Sequence, residues 1–371
     1  MTETLTTAVG QSASLRRESA RVLALHLLCF VLPVTTFLFV ATGPHAGGLG
    51  LWLLPLGLSI AADLLSPAER RQPARALPGW PFDAVLALLT ALQLVNVVLA
   101  ARLIGITGFF DWHTAVAVLL VGTNSGYSGI VVGHELIHRK ERPWRLLGRM
   151  LMGLVLYEHF ATEHIRGHHV RVGTAEDPAT ARFGESFRAF FRRTLPAQLR
   201  SAWRLEAKRL GDEAMPWRDP RVLRNRVLHG LVAEWAFAFA LAAAFGWSAF
   251  AFHLLQSFWA VQLLECVNYF EHWGLLRQGK RADVMDSWDT ESWFTLYTLV
   301  GLSRHADHHA FATRPYQQLR HMAESPKLPR GYFGMVTLAM ARNRKFQRLM
   351  TDELRRRGLG PFAEGAPPAL G

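Results

Sequence analysis

The chain has 371 residues, half of them hydrophobic, a formal charge of +12 and two cysteines. Two cysteines without a CxxC pair exclude a disulfide scaffold and a cysteine-built metal site. The basic excess suits either nucleic acid or the cytoplasmic loops of a membrane protein. The apolar residues are gathered into runs of spanning length, which selects the membrane and leaves no nucleic-acid partner to expect.

Residues 1–19 are polar and are expected to be disordered. No cleavable signal peptide is expected, because the first apolar run, 20–41, is too long for a signal h-region. A bilayer core takes ~20 helical residues, so this run can span, and Pro33 within it is tolerable in a membrane helix. A turn with Gly43, Pro44, Gly47 and Gly48 leads to a second span at 49–65. Residues 66–80 carry Arg70, Arg71 and Arg75 among three prolines, followed by spans at 82–103 and 113–133. The fourth span holds Gly122, Gly126, Gly129 and Gly133, a spacing that predicts one close-packing face. It also holds polar residues, which place it inside a bundle. Asn124, Tyr127 and Ser128 are the candidate lining of a substrate channel.

From 139 to 226 the chain is rich in Arg, Glu and Asp and is expected outside the hydrocarbon, with 147–157 as an interfacial or re-entrant piece. A fifth span at 227–247 contains Glu234, and a sixth ends near 267. Glu234, Gln256 and Gln262 are read as structural hydrogen-bonding groups. A basic C-terminal helix and a Pro-rich, disordered tail from 361 follow. The expected architecture is an all-α integral membrane protein of six transmembrane helices with a cytoplasmic helical cap. Its divisions are a disordered 1–19, a membrane domain at 20–320 and a C-terminal part at 321–371. Loops 42–48, 104–112 and 246–248 contain no Lys or Arg, so the positive-inside rule puts them outside and both termini in the cytoplasm.

Four histidine clusters sit at element ends. His134-Glu135-Leu136-Ile137-His138 closes the fourth span, and its i, i+4 rings can reach one ion. The same spacing matches the HExxH of zinc proteases, with Glu135 as base. His164, His168 and His169 form the second cluster. His159, five residues upstream, is read as interfacial rather than ligating, and Gly167 is expected to permit a turn that sends adjacent rings to different ions. His272 closes the sixth span, sharing a helical face with Glu265 and Asn268. His305, His308 and His309 form the fourth cluster. Nine neutral nitrogen donors exceed what one ion takes, so two metals are implied; imidazole suits zinc, copper, iron and nickel alike. A protease would need only three protein ligands and a water. A transporter would hold its ion near the bilayer midplane, not at helix ends. Glu135, Glu163, Glu271, Asp307 and Asn268 are candidate partners for the second ring nitrogens, reached across clusters rather than within them.

The sequence HELIH at 134–138, EHIRGHH at 163–169, NYFEHWG at 268–274 and RHADHHAFATRPYQQLR at 304–320 resembles the membrane-bound non-haem di-iron alkane monooxygenases, part of the wider membrane desaturase–hydroxylase group. Residues 176–182, Glu-Asp-Pro-Ala-Thr-Ala-Arg, extend the likeness. The resemblance implies that the nine histidines bind two Fe ions and that O₂ is used to hydroxylate a terminal C–H bond of an apolar, membrane-soluble substrate. It implies a bacterial inner membrane location, and electrons from a separate rubredoxin or ferredoxin with its reductase, docking near Arg171, Arg182 or Arg314. The family usually carries His-Ser-Trp-Asn where this chain has Asp286-Ser287-Trp288-Asp289, which leaves methyl hydroxylation of an alkylarene, of xylene or cymene type, as the second substrate reading. An acyl-lipid desaturase shares the boxes.

Overall fold

The computed structural model describes residues 15–73 and 77–365. Arg75 and the disorder expected at 1–14 and 366–371 lie outside the described residues. The elements are helical. In chain order they are α1 (Leu15–Thr42), a shorter α2 (Leu49–Leu64), α3 (Trp80–Thr107) and α4 (Trp112–Ile137). Next come α5 (Arg142–Gly153), a composite α6 (Phe160–Glu163, His164–His168, His169–Arg171) and α7 (Phe187–Arg209). Then follow α8 (Arg226–Phe245), α9 (Trp247–His272), α10 (Trp293–Thr298), α11 (His305–Ala310), α12 (Tyr332–Ala341) and α13 (Asn343–Arg357).

Among the described residues five helices, α1, α3, α4, α8 and α9, are long and apolar enough to cross a membrane. The expected second span is the exception. At 1.5 Å per residue α2 rises only ~24 Å, short of a hydrocarbon core of ~30 Å. Its outer face is nonetheless apolar and bare, with Leu51, Leu54 and Leu58 exposed. α1 begins at Leu15, inside the stretch expected to be disordered, and Ser19 is already buried.

Asp63 anchors the end of α2. Its carboxylate accepts from Ser292 Oγ at 2.7 Å, Thr295 Oγ1 at 2.6 Å and the Gly334 N–H at 3.0 Å. One buried side chain thereby ties α2 to α10 and α12. Asp63→Ala strands three buried donors, and the expected result is a loss of about 3–5 kcal/mol, measured by denaturation in detergent.

α4 is the core helix. Its polar residues form a relay across three helices: Asn124 Nδ2 donates to Gln93 Oε1 at 2.6 Å, Gln93 Nε2 to Ser125 Oγ at 2.8 Å, and Ser125 Oγ to Gln256 Oε1 at 2.9 Å. Such bonds hold helices together where lipid offers no alternative partner. Asn124 is therefore spent on packing, not on a channel wall. The glycines do not share one face. A Cβ on Gly122 or Gly126 would meet Trp259 or Leu263 of α9, one on Gly129 would meet Gln93 of α3, and one on Gly133 would meet Gly148 and Leu151 of α5. The π-helical turn at Ser125–Ile130 carries the stripe round the helix.

The C-terminal residues share the central core. Phe346 packs 5.0 Å from Tyr269 and 5.8 Å from Trp273, ring to ring, and Tyr332 is fully buried. The tail expected to be disordered from 361 stays ordered through Phe362, whose ring meets Phe183.

Candidate metal centre

Four helical segments bring their histidines to one place. α4 delivers His134 and His138, α9 ends on His272, and α11 carries His305, His308 and His309. α6 delivers the rest through a local device. Its middle, His164–His168, is a π-helical turn in which the His169 N–H reaches the His164 carbonyl five residues back. In an α-helix residues i and i+5 stand about 140° apart, whereas a π turn brings them onto one face. His164 and His169 thus face the same way, and their Nε2 atoms lie 3.0 Å apart.

The nine predicted donors sort into two groups. His134, His138, His164, His169 and His308 form one, and His168, His272, His305 and His309 the other; within each, one donor atom per residue lies within 4.8 Å of the rest. His168 and His169, adjacent in sequence, belong to different groups. No sharp turn separates them, since both have right-handed helical dihedrals. The reason for Gly167 is space, not turning: a Cβ there would clash with the Glu163 carboxylate and Arg171 Nη2.

The donor set fits metal. Two nitrogens held by one ion at ~2.1 Å in a right-angled arrangement stand ~3 Å apart. The Nε2 pairs His134–His164, His169–His164 and His309–His305 are at 2.8, 3.0 and 3.0 Å. The Nε2 atoms of His138, His168, His272 and His308 are buried with no hydrogen-bond partner among the described residues. Burial pushes His164, His169, His305, His308 and His309 well below the ordinary imidazole value, so the rings stay neutral and their lone pairs free.

Of the carboxylates expected to accept from the second ring nitrogens, none does so: Glu271 Oε2 lies 3.3 Å from His305 Nε2, the nitrogen that faces the donor group, and its other oxygen bonds Tyr332. The others are engaged elsewhere. Glu135 takes Arg139 at 2.9 Å and the Tyr316 N–H at 3.3 Å, which leaves no base at the position a zinc protease needs. Glu163 pairs with Arg171 at 2.8 Å, and Asn268 bonds Glu265 at 3.2 Å. Asp307 binds Arg314 and the Arg320 N–H, bracing the segment after α11. Residues next to a ligand on a helix point away from it, so Glu135, Glu163 and Asp307 pair with arginines instead of the rings.

The orienting residue that spacing did not reveal is Asp177. Its Oδ2 accepts from His168 Nδ1 at 2.8 Å and from Thr180 Oγ1 at 2.6 Å, and Oδ1 from the Ala179 N–H at 3.2 Å. Burial alone would raise its pKa, but His168 and the hydrogen bonds outweigh it and hold the carboxyl below the usual range. His168 is thereby fixed with Nε2 toward its group. The only sequence signal was its place in the Glu-Asp-Pro segment after the second cluster. His272 Nδ1 lies 3.3 Å from the Asp286 carbonyl. His159 joins neither group and packs on Tyr157.

An apolar cavity of ≈ 30 Å³ reaches the centre between α4 and α9. Ile130, Leu263, Leu264, Val267 and Leu302 line it, and it ends on His134, His164 and His305. Tyr127 is in its wall; Asn124 and Ser128 are not. It holds about one water's volume, so a larger occupant requires side chains to swing aside. Asp286 lies outside this lining. It caps the turn at Val284–Asp286, accepting from the Asp283 N–H at 2.8 Å, while Asp289 pairs with Lys327 at 2.7 Å. The departure from His-Ser-Trp-Asn therefore sits behind His272, not in the cavity wall.

Residues 110–339, which include all nine histidines, match the fatty acid desaturase family. Alkane 1-monooxygenase 1 of Pseudomonas aeruginosa is 38% identical over 301 residues, covering 77% of this chain and 76% of that protein. Alkane 1-monooxygenase 2 of the same organism is 40% identical over 241 residues, 62% of each chain. The xylene/toluene monooxygenase hydroxylase component of Pseudomonas putida is 23% identical over 223 residues, 58% of each.

Proposed function

This chain belongs to the fatty acid desaturase family, on the branch of the alkane 1-monooxygenases, and from that premise we propose that it hydroxylates the terminal C–H bond of an alkane at a di-iron centre. It is an integral membrane oxidoreductase. The observation that carries the reading is the division of nine buried or half-buried imidazoles into groups of five and four at the end of an apolar cavity. His134, His138, His164, His169 and His308 would hold one iron, and His168, His272, His305 and His309 the other. When bound, the iron pair supplies O₂ activation: substrate RH, O₂, two electrons and two protons become ROH and water.

The protein's own residues do the remaining work. Asp177 fixes the His168 ring, and the Asp286 carbonyl takes the His272 N–H. Leu263, Leu264 and Val267 exclude water and favour a hydrocarbon, which enters laterally from the bilayer between α4 and α9. Six crossings, with α2 as a short one, would leave both termini cytoplasmic in a bacterial inner membrane. The alkane reading is preferred to the alkylarene one because Asp286 does not touch the cavity. The test is to supply an n-alkane, a methylarene and an acyl lipid with O₂ and reductant and to identify products. A primary alcohol from the alkane is expected; turnover of the methylarene or lipid alone would overturn the reading.

Electrons would enter from a rubredoxin or ferredoxin over the second cluster. A concavity of ≈ 590 Å³ there is lined by Arg166, Arg171, Arg193, Arg200 and Arg204, with Asp177 at its base. An acidic carrier would be steered to it. Arg200→Glu with Arg204→Glu is expected to lower kcat/KM for the carrier about 10-fold or more at low salt, with the difference shrinking as salt rises. Both side chains are exposed, so iron content should not change.

A further inference from the structure

A cavity of ≈ 1070 Å³ lies on the far side of α6 from the hydrocarbon one. α5, α6, α7 and α8 wall it, with Leu94 of α3 at depth. Its composition is divided by height. Arg142, Arg145, Arg149, Arg166 and Arg226 form the rim at the level where α4 ends and α8 begins, and Leu146, Met150, Leu154 and Phe237 form the apolar wall. From Arg226 to Phe237 the wall runs ~16 Å along α8 at 1.5 Å per residue.

Three carboxylates also face this space and account for part of the charge. Glu158 pairs with Arg149. Glu206 takes Arg166 at 2.6 Å and Arg209 at 2.7 Å. Glu234 accepts the Glu158 N–H at 3.1 Å. Arg145 donates to the carbonyls of Arg139, at 3.2 Å, and Lys140. Arg142 and Arg226 are exposed, and among the described residues their guanidinium groups have no carboxylate and no hydrogen-bond partner. The rim thus has spare positive charge above an apolar slot open to the bilayer.

We propose that this groove binds an anionic phospholipid of the leaflet on the histidine side, its phosphate between Arg142 and Arg226 and one acyl chain along Met150, Leu154 and Phe237. Planar guanidinium forks match phosphate oxygens, and long arginine stems lie on apolar surface while their heads stay at the interface. An alkane has no group for the arginines, and a free phosphate has nothing for the slot; an anionic phospholipid answers both. The lipid would press on Thr162 and Ile165, on the helix that carries His164, His168 and His169. The inference rests on the membrane reading and its orientation, and is independent of the reaction.

The experiment uses the full-length protein, delipidated in a neutral detergent, and reads thermal stability and bound lipid by native mass spectrometry. The probes are phosphatidylglycerol, phosphatidylcholine and inorganic phosphate. Phosphatidylglycerol is expected to raise Tm saturably and to remain bound, with the other two giving less than a tenth of the effect at equal concentration. Arg142→Gln with Arg226→Gln should abolish that preference while metal content is retained. Arg344→Gln with Arg348→Gln, on exposed positions of α13, should preserve it. A second variant, Gly153→Leu, fills the slot where an added Cβ would meet only Glu234 at 3.9 Å, and should lower lipid retention without removing a charge. Equal stabilisation by both lipids, a preference that survives Arg142→Gln with Arg226→Gln, or an effect reproduced by inorganic phosphate would each overturn the proposal. Labelling of Arg142→Cys in intact cells reports the leaflet separately, so a reversed orientation is told apart from an absent lipid site.

Discussion

Alanine at His168 should cost the protein one metal ion and leave the other, and alanine at His308 should do the reverse. The two rings belong to different nitrogen groups, and each Nε2 is buried with no hydrogen-bond partner among the described residues. Removing one of four donors, or one of five, opens the coordination of one group alone. Even a residue that merely orients a ligand is worth ~10–100-fold in metal affinity or activity, so loss of a ligand should exceed that range and leave no measurable hydroxylation. Metal analysis reads the effect where activity cannot: both variants are inactive, and each should retain about one iron per chain instead of two. His159→Ala is the control. It is as buried as its neighbours but joins neither group, and it should keep its metal. If His168→Ala or His308→Ala retained both ions and full turnover, the ligand assignment would be wrong.

The second large effect is expected at Asp177. The carboxylate fixes the His168 ring from behind and is itself fixed by Thr180 and the Ala179 N–H. Asp177→Ala leaves the Nδ1–H of a buried ring without an acceptor and frees the ring to rotate. A loss of ~10–100-fold in turnover or in affinity for the ion of the four-histidine group is the expected result. The five-histidine group should keep its ion. Asp177→Asn, which keeps an oxygen acceptor, should recover part of the loss. A purely structural role would lower Tm in both variants equally while leaving metal-loaded protein at the parent rate.

The nine candidate ligands were legible because their signal is short-range: imidazoles at i, i+4 or adjacent, at the ends of apolar runs. Their sorting was not. It depends on the π turn at His164–His168, a change of hydrogen-bond register that no residue spacing specifies. The orienting residues were harder still. Glu135, Glu163 and Asp307 are neighbours of ligands in sequence and partners of Arg139, Arg171 and Arg314 in space. Asp177 reaches His168 through a loop, a contact set by tertiary folding. Gly167 was correctly singled out for the wrong reason, since what it accommodates is the Glu163–Arg171 pair. Among the described residues hydropathy found the five long apolar helices, but it does not separate a full crossing from α2, where the apolar helix stops at Leu64, just past Asp63 and its buried hydrogen bonds.

The central claim is that one chain holds two irons in nitrogen groups of five and four. Metal analysis of protein purified from cells grown with iron and zinc both present tests it most directly. About two irons per chain and no stoichiometric zinc is the predicted result. One zinc per chain without iron would contradict it.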